Sequence, residues 1–102
     1  MARLTDEAIE AAVRELRDWS YTNGALTRRV TFPSFPEGIA FVNRVAAIAE
    51  QVGHHPDIAI RYATIELTLT THDAGGVTEK DLDMASRIDG ALEQWTGEHD
   101  SA

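Results

Sequence analysis

The chain has 102 residues, 43% hydrophobic and 25% charged, with a formal net charge of -8 and no cysteine. A chain of this length buries roughly two thirds of its unfolded surface, enough for one compact core but not for two. The acidic balance opposes phosphate backbones and anionic membrane surfaces, and the lack of cysteine removes disulfides, thiolate nucleophiles and thiolate metal sites.

The first residues, Met1 to Glu7, turn acidic at once and carry no apolar segment, so no signal peptide is expected. No apolar run approaches the ~20 residues of a membrane span. A cytoplasmic protein is the expectation, without direct nucleic-acid or membrane contact. Thr5-Asp6-Glu7 reads as a helix start, a cap residue followed by two acids that the helix dipole favours. Ile9, Val13 and Leu16 recur at helical spacing and predict a helix to about Arg17.

Trp19 and Tyr21 alternate with polar residues, and Asn23-Gly24 is a strong two-residue turn signal. Beyond it Leu26, Arg28, Val30 and Phe32 fall on one face, and Ala25, Thr27, Arg29 and Thr31 on the other. Residues 18–32 therefore predict a β-hairpin. Ser34-Phe35-Pro36-Glu37 has the form of a capping box with proline in the first turn. The helix it opens runs to about Val52, where Gly53 suits a left-handed stop. Its apolar residues form two adjacent stripes, Phe41, Val45, Ile48, Val52 and Phe35, Ile39, Val42, Ala46, Ala49. One stripe is expected to face the sheet and the other a second subunit.

Ile58, Ile60 and Tyr62 alternate, as do Ile65, Leu67 and Leu69, which predicts two further strands over 57–71 with a turn near Ala63. After the loop Asp73-Ala74-Gly75-Gly76, Thr78 caps a last helix, with Asp81 as a short-armed capping-box partner. Leu82, Ala85, Ile88, Leu92 and Trp95 mark its buried side. The polar residues after about 96 are expected to form a short frayed acidic tail. Read together, residues 1–102 predict a single α+β domain. Its four-stranded antiparallel sheet carries three helices on one face, in the order α-β-β-α-β-β-α.

Three of the four histidines lie near element ends: His54 and His55 directly after Gly53, and His72 after the fourth strand. If the last two strands pair about Ala63, residue i lies opposite about 126 minus i, so His54 faces His72. Glu50 sits one helical turn before His54, and Asp81 in the first turn of the last helix. Three imidazoles and two carboxylates at one end of a sheet suit acid/base chemistry, because imidazole titrates near pH ~6.5. The blander reading makes the His-His pair a solvated turn, Asp81 a cap and Glu50 a helix-surface residue. A two-His-plus-carboxylate metal site from His54, His72 and Glu50 is conceivable. However, adjacent histidines point apart, and no H-x-H or H-E-x-x-H motif is present. No nucleophile elbow, G-x-G-x-x-G or Walker-type loop occurs.

The pattern Glu50-x3-His54-His55-Pro56-x5-Tyr62-x9-His72-x8-Asp81 resembles the signature of the pterin-4a-carbinolamine dehydratases. Similarity extends from about Leu16 to Ile88, through Trp19, Phe32, Phe41-Val42-Asn43-Arg44-Val45-Ala46 and Thr71-His72-Asp73. The resemblance implies the same antiparallel sheet with helices on one face, and homodimers that pair into homotetramers. It also implies loss of water from 4a-hydroxytetrahydropterin (4a-hydroxytetrahydrobiopterin) to give the quinonoid dihydropterin, in tetrahydropterin recycling beside an aromatic amino acid hydroxylase. The pterin is the substrate, and neither cofactor nor metal is implied. Carried over by position, His54 and His72 resemble the acid/base pair, and His55 the residue that holds and polarises the pterin. Glu50 and Asp81 would orient the histidines, and the backbone around Gly53 and Thr70, Thr71 and Asp73 would meet the ring edge. Two alternatives remain open: a non-catalytic dimerisation or coactivator-type binding protein, and a family member acting on another pterin.

Overall fold

The computed structural model describes residues 2–95, together with the backbone of Asp100–Ser101. The elements run α1 (Asp6–Val13), β1 (Ser20–Thr22), β2 (Ala25–Thr31), α2 (Phe35–Val52), β3 (Asp57–Arg61) and β4 (Thr64–Leu69). A single 3-10 turn (His72–Ala74), α3 (Glu79–Glu93) and a two-residue strand, β5 (Asp100–Ser101), complete them. Antiparallel strands in the spatial order β1-β2-β4-β3 form the predicted sheet, and β5 adds a short pairing to the end of β2. The fold is α+β, in the predicted order. Of the tail expected to fray after about 96, residues 96–99 and 102 lie outside the described residues, whereas Asp100–Ser101 pair with Thr31 and Val30 of β2.

Period-2 patterning divides the sheet into two faces. Ile65, Leu67 and Leu69 on β4 are buried beside Leu26 and Val30 on β2, while Thr64, Glu66 and Thr68 are half-exposed. The buried face packs against Ile9 of α1, Phe41, Val45 and Ile48 of α2, and Met84, Ile88 and Leu92 of α3. The other face carries an ion-pair cluster in which Glu66 accepts from both Arg29 and Arg61. On α2 the stripe Phe41, Val45, Ile48 takes the core side, and the second stripe leaves Phe35 exposed and Ile39 and Val42 half-buried.

The turn chemistry follows the residue types. Asn23 and Gly24 both adopt positive φ (51° and 76°), as a two-residue turn between Thr22 and its partner Ala25 demands. Ser34 caps α2 by accepting from the Glu37 amide, but no described bond returns from the Glu37 side chain, so this capping box is half formed. The box that closes fully is Thr78 with Asp81.

The structure departs from the sequence reading at two further places. The first helix ends at Val13 instead of near Arg17, although Leu16 still packs on the core. Its continuation is drawn off by α3: the Arg17 amide donates to Asp89 Oδ2 at 2.9 Å, and Asp18 turns to a positive φ of 59°. Asp89 also accepts from Trp19 Nε1 and from the buried Arg28 guanidinium, both at 2.7 Å. The second departure is the register of the last hairpin. Arg61 pairs with Thr64 and Asp57 with Thr68 across a two-residue Tyr62-Ala63 turn, with Tyr62 at φ 52°. Paired numbers therefore sum to 125, one less than expected, which sets position 54 against 71 and not 72.

Candidate active site

Helix α2 brings Glu50 to its last turn and stops at Gly53, whose φ of 69° is left-handed. That reversal takes His54 and His55 off the helical ladder, and Pro56 leads straight into β3. The two imidazoles then separate, as neighbouring side chains on extended chain do. His55 Nε2 and Glu50 Oε2 are hydrogen-bonded, and both side chains are largely exposed. His54 turns inward, to a side-chain exposure of 13%, and its Nε2 lies 2.6 Å from Asp81 Oδ1.

Asp81 is fully buried, and both of its carboxylate oxygens are hydrogen-bonded. Oδ2 accepts the Thr78 amide at 2.9 Å and the Thr71 hydroxyl at 2.8 Å, and Oδ1 meets His54. The Thr71 and Thr78 hydroxyls are 2.8 Å apart. One carboxylate in the first turn of α3 thus joins the end of α2, the end of β4 and the cap of α3. A buried charge is tolerated here because donors surround it and the N-terminal end of the helix faces it.

His72 opens the 3-10 turn directly after Thr71, with Asp73 next, and both side chains are exposed. Chain continuity keeps them beside the Thr71–Asp81–His54 cluster, while no described hydrogen bond joins His72 to either histidine pair. The turn is tied back by a Thr71–Gly76 bridge. Thr70 donates instead to the Gly24 carbonyl at 3.2 Å. Among the predicted residues, then, bonds assemble His54 with Asp81 and Thr71, and His55 with Glu50. His72, Asp73, Thr70 and Gly53 stand along the adjoining backbone.

The arrangement can move protons. A buried carboxylate behind an imidazole fixes its ring and stabilises it when charged, and the exposed imidazole of His72 stands on the adjoining backbone. Among the described residues, no group of three or more His, Asp or Glu side chains forms a metal cage, and no helix is long and apolar enough to cross a membrane. A hollow of about 400 Å³ on the open face of the sheet is lined by Asp18, Thr27, Arg29, Asp57, Glu66 and Thr68 among others, and by no histidine. Its central carboxylate, Glu66, is already held by two arginines, so acid/base work is better served at the histidine corner.

Thr78 was legible from sequence only as a helix cap; that its hydroxyl meets Thr71 depends on the loop bridge. Arg28 and Asp89 carried a plainer signal. An arginine in phase with Leu26 and Val30 needs a buried acid, and Asp89 follows Ile88 on the buried side of α3.

Comparison with known proteins places this corner in context. The family model described as pterin 4 alpha carbinolamine dehydratase matches residues 2–91. A provisionally named pterin-4-alpha-carbinolamine dehydratase of Mycobacterium sp. (strain KMS) is 52% identical over 94 residues, 92% of this chain and 100% of the relative. One of the same provisional name from Thermomicrobium roseum is 49% identical over 88 residues, 86% of this chain and 95% of its own. Among solved structures, a transcriptional coactivator/pterin dehydratase from Brucella melitensis superimposes with a TM-score of 0.82 at 34% identity, covering 86% of this chain and 96% of that one. A pterin dehydratase-like protein identified as a RuBisCO assembly factor in the alpha-carboxysome gives 0.58 at 28% identity, covering 74% and 86%.

Proposed function

The chain belongs to the pterin 4 alpha carbinolamine dehydratase family, and from that premise we propose that it dehydrates 4a-hydroxytetrahydropterin to the quinonoid dihydropterin. The observation that carries the reading is the buried Asp81 behind His54, with His72 one residue beyond Thr71 on the same cluster. In the reaction the N5–H proton leaves to a base, the N5 electron pair closes an N5=C4a bond, and the C4a–O bond breaks as the hydroxyl takes a proton and departs as water. His54 and His72 are the acid/base pair. His55, held by Glu50, polarises the pterin. The backbone at Gly53, Thr70, Thr71 and Asp73 meets the edge of the ring. Nothing is oxidised or reduced, so the chemistry calls for no redox cofactor, and imidazoles supply the proton transfers without a metal.

The same proposal places the protein in the cytoplasm, beside the aromatic amino acid hydroxylase whose turnover forms the carbinolamine. It also makes the protein a homo-oligomer, supported by the second apolar stripe of α2 and by exposed Ile60 on the edge strand β3. The test is direct. Purified protein added to freshly generated 4a-hydroxytetrahydropterin should accelerate formation of the quinonoid absorbance, and His54→Ala or His72→Ala should each lower turnover at least ~100-fold. Near-normal rates in both variants would remove these histidines from the mechanism.

A second reading is favoured by one observation. Phe35 and Tyr62 stack in the open, ring centroids 6.2 Å apart and 9° from parallel, with Tyr62 75% exposed. Such a ledge suits a protein partner, as the coactivator and assembly-factor descriptions of the two structural relatives suggest. A protein that fails to accelerate dehydration yet co-purifies with a partner dependent on Tyr62 would favour this reading over catalysis.

A further inference from the structure

The hydrogen bonds around Asp81 have a direction, and the direction selects one nitrogen of His54. A threonine hydroxyl has a single proton to give. Thr71 gives its proton to Asp81 Oδ2, so the 2.8 Å contact between the two hydroxyls must have Thr78 as its donor. Thr78 Oγ1 in turn accepts the Lys80 amide at 3.2 Å. Every bond in the chain therefore points toward the carboxylate: Thr78 to Thr71, Thr71 to Oδ2, and the Thr78 amide to Oδ2. The remaining acceptor site, on Oδ1, is met by His54 Nε2 at 2.6 Å. The consistent assignment makes Nε2 the donor. Placing the proton on Oδ1 instead would neutralise a carboxylate that already receives two donors at the N-terminal end of a helix, where negative charge is favoured.

The other ring nitrogen completes the picture. His54 Nδ1 has no hydrogen-bond partner among the described residues and is not among the side-chain atoms sealed from solvent. A neutral imidazole with its proton on Nε2 carries its lone pair on Nδ1. We propose that Thr71 and Thr78 are positioning residues whose hydroxyl chain locks His54 as the Nε2–H tautomer, so that Nδ1 is the atom that exchanges protons with the pterin. The inference rests on the dehydratase reading for its substrate, but the tautomer itself does not require one. In the neutral enzyme Nδ1 can only accept, which makes His54 the base that takes the N5 proton. The resulting imidazolium keeps its Nε2–H bond to Asp81, and His72, in its imidazolium form, protonates the departing hydroxyl and returns to neutral imidazole.

The test is a two-bond proton–nitrogen correlation spectrum of protein labelled with 15N-histidine, without pterin, at a pH high enough that the His54 ring signals no longer change with pH. The wild type should show His54 protonated on Nε2 and bare on Nδ1. Thr71→Val, which keeps the shape and removes the hydroxyl, should move His54 toward a mixture of tautomers and lower kcat about tenfold with KM little changed, the scale of losing one bond to a charged group. Thr71→Ser should restore both. A wild-type spectrum with the proton on Nδ1 overturns the inference whatever the variants do, and so does a Thr71→Val protein with unchanged tautomer and unchanged kcat. Should Thr71→Val fail to fold, the wild-type spectrum still decides the tautomer. A wild type inactive on the carbinolamine but protonated on Nε2 defeats the dehydratase reading alone. An active one protonated on Nδ1 defeats this inference alone.

Discussion

Replacing Asp81 by Asn isolates charge from shape. The amide fits the same fully buried space, but it has one acceptor oxygen where the carboxylate has two, and the carboxylate now receives the Thr78 amide, the Thr71 hydroxyl and His54 Nε2. If the amide oxygen faced His54, its NH2 would oppose two donors. The favoured rotamer therefore keeps the oxygen toward Thr71 and Thr78 and turns the NH2 on Nε2. His54 must then carry its proton on Nδ1, which removes the exposed lone pair. Loss of the charge-assisted bonds should destabilise the fold by about 2 kcal/mol, read as a lower urea midpoint with an unchanged slope. Turnover should fall further, at least ~100-fold, because the base is lost rather than merely loosened. A variant that stays folded and within about threefold of wild-type kcat/KM would refute this role for the carboxylate.

Elsewhere the expectations are structural. Arg28→Ala leaves Asp89 buried, with its guanidinium partner gone, and should cost roughly 3 kcal/mol by urea denaturation, while an Arg28→Ala loss under about 1 kcal/mol would contradict a stabilising network there. Glu66 is held below the ordinary carboxylate range, chiefly by its hydrogen bonds to Arg29 and then to Arg61. Its folded value is depressed, so its contribution is complete above the ordinary value and is lost as pH falls through the depressed one. Carbon-detected titration of Glu66 should show the low midpoint, and Arg29→Gln should raise it; an unchanged midpoint would break the assignment. Ile60→Lys on the edge of β3 should weaken self-association in sedimentation at micromolar concentration, and an unaltered distribution would place the subunit contact elsewhere.

How far the sequence could be read depended on whether the deciding physics was local. Asn23-Gly24, Gly53 and the alternation of Ile65, Leu67 and Leu69 each act through a residue's own backbone freedom or its own pleat, and the strands and α2 fell where those signals placed them. The end of α1 was not local: Asp89, more than seventy positions away, claims the Arg17 amide, and no helical periodicity in the first segment records that. The one-residue slip in the last hairpin shows the same limit. Tyr62 takes a positive φ that aromatic residues rarely adopt, so a turn centred on Ala63 alone looked sufficient.

At the candidate site the same division holds. Glu50, His54, His55 and Asp81 were identifiable as a set, but which acid serves which imidazole was not. Glu50 lies one helical turn before His54 and would serve it on a continuing helix; the reversal at Gly53 passes it to His55 and leaves His54 to Asp81. The threonine hydroxyls were invisible as functional groups because each has an adequate local role, Thr78 as a cap and Thr71 as the residue ending a strand.

The most direct measurement is a titration of histidine-labelled protein with an unreactive dihydropterin, following the ring signals of His54, His55 and His72 together. A common binding isotherm at all three is the expected result. Saturable binding that leaves the signal of His72 where it began would contradict a shared pterin site.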